Sequence, residues 1–324
     1  MMSDQPINHL DSNMMLADDA LLTKAADWHS VGHRLALAFV IHTWGSSPRQ
    51  VGSLLLVRED SQIAGSVSGG CVEGDVLERA HMVLAGAPSV LRRYGVADDA
   101  AWDVGLPCGG DIQVLVQPVS ADGFPAHLFA DIMKARSAGA ALSVVTDLES
   151  GRSALLDDDA GAGFVNIYHP PRRLLIVGAV EIASALAAIA VSQGVDVTLC
   201  DPRGRFLTAE RFPGIRLDDR WPDDAVKAFA PDSRSAIVTL SHDPKIDDPA
   251  LAAALASPAA YVAALGSVRS HQARLARLSA AGVSAEQCAR IEGPAGVAIN
   301  AISAPEIALS IAGGMIRAFN QGLR

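Results

Sequence analysis

Hydrophobic positions along this chain switch between a helical and an alternating period, and the switches mark its elements. Leu21, Leu22, Ala25 and Trp28 recur at helical spacing, so a helix is predicted from Ala17 to Gly32 behind a polar, aperiodic leader. Leu35 to Ile41 is a continuous apolar run that predicts a buried strand. Ser53 to Val57 and Gln62 to Val67 predict two more, joined by a turn at Glu59-Asp60-Ser61. Val76, Leu77, Ala80, Val83 and Leu84 then form one helical face that ends at Gly86. Strands follow at Ser89 to Tyr94 and Asp111 to Val119, a helix at His127 to Ala138, and strands at Leu142 to Asp147, Ser153 to Leu156 and Phe164 to Tyr168.

Pro170-Pro171 stops this pattern just before a new apolar run. From Leu174 the order is strand, turn, helix, strand: LLIVG, AVEIASALAAIAVSQG, VDVTLCD. This is a βαβ unit, with Gly178 at its turn and Asp201 closing its second strand. Further strands are predicted at Ala236 to Leu240 and Ala260 to Leu265, with an alanine-rich helix between them at Pro249 to Ser257. The fold class is therefore α/β: an N-terminal mixed α/β domain followed by a C-terminal Rossmann-like doubly wound parallel sheet. The expected domains are residues 1–120, connecting strands and a linker over 121–171, and the Rossmann-like domain over 172–324.

Composition narrows the function classes. A chain of 324 residues that is 50% hydrophobic can bury two ordinary cores. Its net charge of −10, from 26 basic and 36 acidic residues, argues against a nucleic-acid binder. The start lacks a basic leader with an apolar core, and no run predicts a membrane span, so a cytoplasmic setting is expected. Cys71, Cys108, Cys200 and Cys288 make no zinc-like spacing, so neither disulfides nor a structural metal is expected.

The candidate chemistry lies in the glycine turns. Gly45-Ser46-Ser47-Pro48-Arg49 offers hydroxyls and a guanidinium, while Ser68-Gly69-Gly70-Cys71 offers open backbone amides beside a thiol. Cys108-Gly109-Gly110 repeats that pairing at another strand end. The plainer reading of each cysteine is a small apolar residue in a tight turn, and for Cys200 and Cys288 that reading is preferred. In the second domain, loops after strand ends gather Gly178, Asp201, Arg203, His242, Asp243, Gly266, Arg269 and His271 along one crevice. The dinucleotide fingerprint is incomplete there: Val180 replaces its middle glycine, and Glu181 would repel a phosphate at the helix start.

With these motifs the chain resembles the XdhC/CoxI family, accessory proteins for maturation of molybdenum hydroxylases such as xanthine dehydrogenase and carbon monoxide dehydrogenase. The family-like pieces are Gly45-Ser46-Ser47-Pro48-Arg49, Ser68-Gly69-Gly70-Cys71-Val72-Glu73 and Cys108-Gly109-Gly110. In the second half they are Gly178-Ala179, Asp201-Pro202-Arg203, His242-Asp243, Gly266-Ser267 and Arg269 with His271. The resemblance implies a cytoplasmic homodimer that binds molybdenum cofactor (molybdopterin) as cargo. With a sulfurtransferase and a molybdenum hydroxylase client, it would assist sulfuration and insertion. The cofactor-binding residues it implies are Ser46, Arg49, Gly69, Gly70, Cys71, Glu73, Cys108, Gly109, Gly110, Gly178, Asp201, His242, Asp243, Gly266 and Arg269, with Cys71 and Cys108 placed near molybdenum.

This sequence departs from common family patterns at Gly178-Ala179-Val180-Glu181-Ile182-Ala183 and at Pro294-Ala295-Gly296-Val297-Ala298-Ile299-Asn300-Ala301. The Rossmann crevice is therefore expected to have altered or lost nucleotide function, with the first-domain site intact. Two other readings stay open. One is an NAD(P)-dependent oxidoreductase, with Asp201 on a ribose hydroxyl and His242 as acid/base group, weakened by Val180 and Glu181. The other is a non-catalytic scaffold with a degenerate nucleotide site, whose second domain dimerises.

Overall fold

Residues Leu35–Trp44 form a strand, β1, whose two faces explain the layers of the first half of the molecule. Leu35, Leu37, Phe39 and Ile41 enter one core and Ala36, Ala38 and Val40 another, because successive side chains of a strand point to opposite faces. The computed structural model describes residues 15–45, 49, 51–70, 72–95, 110–156 and 163–321, and divides the chain between Pro170 and Pro171.

In the first unit β1 lies at the centre of a five-stranded antiparallel sheet. With β2 (Leu54–Arg58), β3 (Ile63–Gly65), β4 (Val90–Tyr94) and β5 (Asp111–Pro118), the order is β3-β2-β1-β5-β4. Helix α2 (Glu73–Leu84) covers one face with Val76, Ala80 and Val83. On the other face, α1 (Met15–Ser30) contributes Leu21, Leu22 and Ala25, and α3 (His127–Ser137) contributes Leu128, Phe129 and Ile132.

Residues 121–170 share this second core. Strands β6 (Leu142–Thr146), β7 (Ser153–Leu155) and β8 (Phe164–Tyr168) form a separate antiparallel sheet, and their Val144, Phe164 and Tyr168 pack with Phe124 and Phe129. The predicted third strand is shorter than expected, ending at Gly65. There φ is +84°, and an added Cβ would sit 2.2 Å from the Leu54 carbonyl oxygen.

The second unit carries six parallel strands: β9 (Arg173–Val177), β10 (Asp196–Cys200), β11 (Arg216–Asp218), β12 (Ser235–Thr239), β13 (Tyr261–Ala264) and β14 (Ile291–Glu292). Their order, β11-β10-β9-β12-β13-β14, is the 3-2-1-4-5-6 order of a doubly wound Rossmann sheet. Helices α4 (Glu181–Ser192) and α9 (Ala304–Phe319) bury one face. On the other lie α5 (Pro222–Phe229), α6 (Pro244–Leu255) and α7 (Val268–Ala280), with α8 (Ala285–Ala289) at the edge.

The alanine-rich helix starts at Pro244 instead of Pro249, because Asp243 caps it by accepting from the Lys245 amide and a proline is well tolerated in a first turn. Among the described residues no helix is long and apolar enough to cross a membrane.

Candidate functional site

Sheet register brings the glycine turns of the first unit to one end. Trp44, the last residue of β1, pairs with Asp111, the first of β5, and Tyr94, the last of β4, pairs with Ile112. Leu54 at the start of β2 pairs with Phe39, and Gly65 at the end of β3 pairs with Leu55. The exits of β1, β3 and β4 and the entry of β5 therefore share that end, within the width of five strands at about 4.8 Å each. Gly45, Ser66 to Gly70 and Gly110 lie there, as does the start of α2. Ser46, Cys71, Cys108 and Gly109 lie outside the described residues. Arg49 is half-buried in the turn after β1.

Glu73, in the first turn of α2, organises the turn before it. Its Oε1 accepts from Ser66 Oγ at 2.6 Å and from the amides of Ser68 and Gly69 at 2.9 and 3.1 Å. Its Oε2 accepts from the Gly70 amide at 2.8 Å and from Ser68 Oγ. Burial pushes this carboxyl up, but the donors outweigh it and hold the pKa at about 2.

This corrects one expectation. The amides of Gly69 and Gly70 are not open to an outside anion, because an internal carboxylate already fills the concavity they form. What the arrangement does is fix the backbone on both sides of position 71. Gly70 is tied to Glu73, and the Val72 amide donates to Ser68 Oγ at 3.0 Å. Above Gly69 and Gly70, at φ +79° and +119°, an added Cβ would meet nothing within 4 Å among the described residues.

Three neighbours of this end did not stand out in the sequence. Asp75 accepts from Tyr94 Oη at 2.6 Å and pairs with Arg79 at 3.0 Å, joining α2 to the exit of β4. Burial and then this hydrogen bond push the Tyr94 phenol above its ordinary value. Arg93 pairs with Asp111 at 2.7 Å, and Asp111 Oδ1 is buried without a partner among the described residues. Trp44 is 71% exposed after a register shift between Val40 and His42, a bulge that re-aims the end of β1. The Asp75/Arg79 spacing of four was a readable signal, whereas the bulge behind Trp44 was not.

In the second unit the predicted residues follow strand ends, but most are engaged by the protein. Gly178, at φ +111°, lies so close to the loop after β12 that a Cβ would sit 2.8 Å from the Ser241 nitrogen. Asp201 is 0% exposed; its Oδ2 accepts from the Ala179 amide at 2.8 Å and from Arg203 Nη2 at 2.8 Å. Its Oδ1 accepts from the Arg203 amide and Nε, each at 2.9 Å. Burial raises this carboxyl's pKa, and these bonds bring it below its ordinary value.

Asp243 caps α6, and His242 is exposed with φ at +61°. Asp247, missed in the sequence, is buried and accepts from Ser241 Oγ at 2.7 Å; burial pushes its pKa up. Gly266, at φ +142°, precedes the Ser267 capping box of α7, and Arg269 is exposed. Cys200 and Cys288 are buried free thiols, and burial, then Asp218, pushes Cys200 up to about 12. Among the described residues no three His, Cys, Asp or Glu side chains are grouped to hold a metal ion.

Two family models match the chain: the XdhC and CoxI family over residues 28–95, and the XdhC Rossmann domain over residues 174–315. Among curated proteins, the chain is 29% identical to the molybdenum cofactor insertion chaperone PaoD of Escherichia coli K12, over 94% of this chain and 90% of that one. It is 24% identical to a probable xanthine dehydrogenase subunit of Bacillus subtilis 168, over 87% and 92%. In fold it is similar to a Bacillus halodurans protein whose crystal structure is described as that of a xanthine dehydrogenase. That match has a TM-score of 0.75 at 24% identity, over 94% of this chain and 96% of the other.

Proposed function

Because this chain belongs to the XdhC and CoxI family, we propose that it serves the maturation of a molybdenum hydroxylase, binding molybdenum cofactor and assisting its sulfuration and insertion. The observation that carries this reading is the shared sheet end in the first unit. The exits of β1 and β3 and the entry of β5 share that end, and Glu73 fixes the backbone at Gly70 and, through Ser68, at Val72; Cys71 and Cys108 are the thiols proposed to act there. A thiol suits a soft metal or its terminal sulfur, and among the described residues nothing lies within 4 Å of an added Cβ at Gly69 or Gly70. Anion binding falls to Arg49 in this scheme, since the glycine amides are taken.

The names of two relatives support the same reading: one is a molybdenum cofactor insertion chaperone, the other a probable xanthine dehydrogenase subunit. The client is then a molybdenum hydroxylase and the sulfur donor a sulfurtransferase, with the chain acting as a homodimer in the cytoplasm. The oxidoreductase reading is less well supported, since Asp201 directs both oxygens into the protein.

The test is direct. The chain and its Cys71→Ala and Cys108→Ala variants, expressed in molybdate-fed cells, are assayed for bound molybdenum and pterin. Pterin that copurifies with the parent and is lost from a variant is the expected result. A pterin-free parent that oxidises NAD(P)H with a carbonyl substrate would overturn the proposal.

A further inference from the structure

The opposite end of the five-stranded sheet carries a cavity with chemistry of its own. It opens where β1 begins and β5 ends, since Ala36 pairs with Pro118 there. Its volume of about 480 Å³ is in the range of small-molecule sites. Leu35 and Val83, both buried, supply part of its apolar lining.

Two guanidiniums face it, Arg34 from just before β1 and Arg152 from just before β7. Arg34 donates to the Leu84 carbonyl at the end of α2 at 2.9 Å. The Arg152 side chain has no hydrogen bond or ion pair among the described residues, and neither arginine is paired with a carboxylate there. Elsewhere Arg58 meets Asp60, Arg93 meets Asp111, Arg173 meets Asp232 and Arg277 meets Asp248. The one acid that lines the cavity, Asp122, pairs with neither arginine.

The frame behind Arg152 is rigid. Asp147 Oδ1 accepts from the amides of Glu149 and Ser150 at 2.7 and 2.9 Å, and the Gly151 amide donates to the Asp147 carbonyl at 2.8 Å. Gly151, at φ +72°, lies so close to Ser89 that a Cβ would sit 2.4 Å from its Oγ. Ser89 lines the cavity, and its Oγ is buried without a hydrogen-bond partner among the described residues.

We infer that this cavity binds a small organic anion, a carboxylate or phosphate head on a compact apolar body. Arg34 and Arg152 hold the head, where two guanidiniums give charge-assisted hydrogen bonds, and Leu35 and Val83 take the apolar part. The inference does not depend on the cofactor reading, because the site lies at the other end of the sheet.

The experiment is calorimetric titration of the full chain. Phenyl phosphate and benzoate are the anionic probes, benzyl alcohol and benzylamine the neutral and cationic isosteres, and inorganic phosphate the head alone. At least one anionic probe is expected to bind about tenfold or more tightly than the isosteres and inorganic phosphate; which of the two wins identifies the head. Arg152→Gln, which breaks no contact in the free protein, is expected to weaken that probe about tenfold with an unchanged circular dichroism spectrum. The Arg34→Gln/Arg152→Gln double variant should abolish binding. No binding by either anionic probe, equal binding of benzyl alcohol, or anion affinity that survives the double variant would overturn the inference.

Discussion

Each unit of this protein holds a glycine turn whose backbone amides are met by a carboxylate, and the two turns leave different things open. In the second unit Asp201 is fully buried, shared between the Ala179 amide and Arg203, and Gly178 is a packing glycine pressed on Ser241. In the first unit Glu73 gathers hydroxyls and amides from Ser66 to Gly70, yet no described atom lies within 4 Å of an added Cβ at Gly69 or Gly70. Both carboxylates take the place an outside anion would otherwise fill. Only the first does so beneath an accessible turn, so glycine content alone does not distinguish a ligand loop from a close packing contact.

The largest expected effect separates the two carboxylates by stability. Asp201→Ala leaves a buried amide without its acceptor and a part-exposed guanidinium without its partner, and is expected to destabilise the second unit by about 2–3 kcal/mol. Urea unfolding followed by circular dichroism measures this, and a loss below about 1 kcal/mol would show Asp201 to be free for a ligand. Glu73→Ala comes next, at about 1–3 kcal/mol. Unlike Asp201→Ala, it is expected to lower pterin retention by about tenfold, since the turn around Cys71 loses its anchor. Glu73→Gln, which keeps the shape and one acceptor, should recover part of that retention. Equal pterin retention in Glu73→Ala and the parent would mean that this turn does not form the site.

A smaller contrast comes from the glycines. Gly178→Ala meets both a left-handed backbone and the Ser241 nitrogen at 2.8 Å, and is expected to cost about 2–3 kcal/mol. Gly69→Ala meets the backbone penalty alone, about 1 kcal/mol, because no atom of the described residues lies within 4 Å. Thermal unfolding of the pair checks the order, and a larger loss at Gly69 would reverse the distinction between the two turns.

Much of the frame behind this comparison was legible in the sequence. The strand and helix periods gave most strands of the three sheets, and the βαβ pattern from Leu174 gave the parallel one. The resemblance named the family. What was not legible was the use made of polar groups. Glu73 and Asp201 read equally well as ligands, because a carboxylate beside glycines has the same spacing whether it faces inward or outward. Three-dimensional donor geometry decides that, and it depends on residues such as Ser66, Ser68 and Arg203 bending back on their own turns. The cavity lined by Arg34 and Arg152 was hidden for a related reason, since its arginines are 118 positions apart in the chain and reach one cavity only through the packing of two separate sheets.

Acid pH gives the gentlest test of the same contrast. Glu73 has its folded pKa depressed to about 2 from an ordinary 4.5, so it binds its proton less readily in the native state than in the unfolded one. Its contribution to stability is therefore fully present above about pH 4.5 and is lost as pH falls toward 2. Subtracting the stability of Glu73→Gln from that of the parent at each pH removes the titration of groups common to both, including Asp201, whose pKa is also depressed, and Asp247, whose pKa is raised. The difference should be flat above pH 5 and shrink steadily below about 4.5. If it stays flat down to pH 2, the turn before Cys71 is not held by an ionised carboxylate, and the glycine amides become available to an outside anion after all.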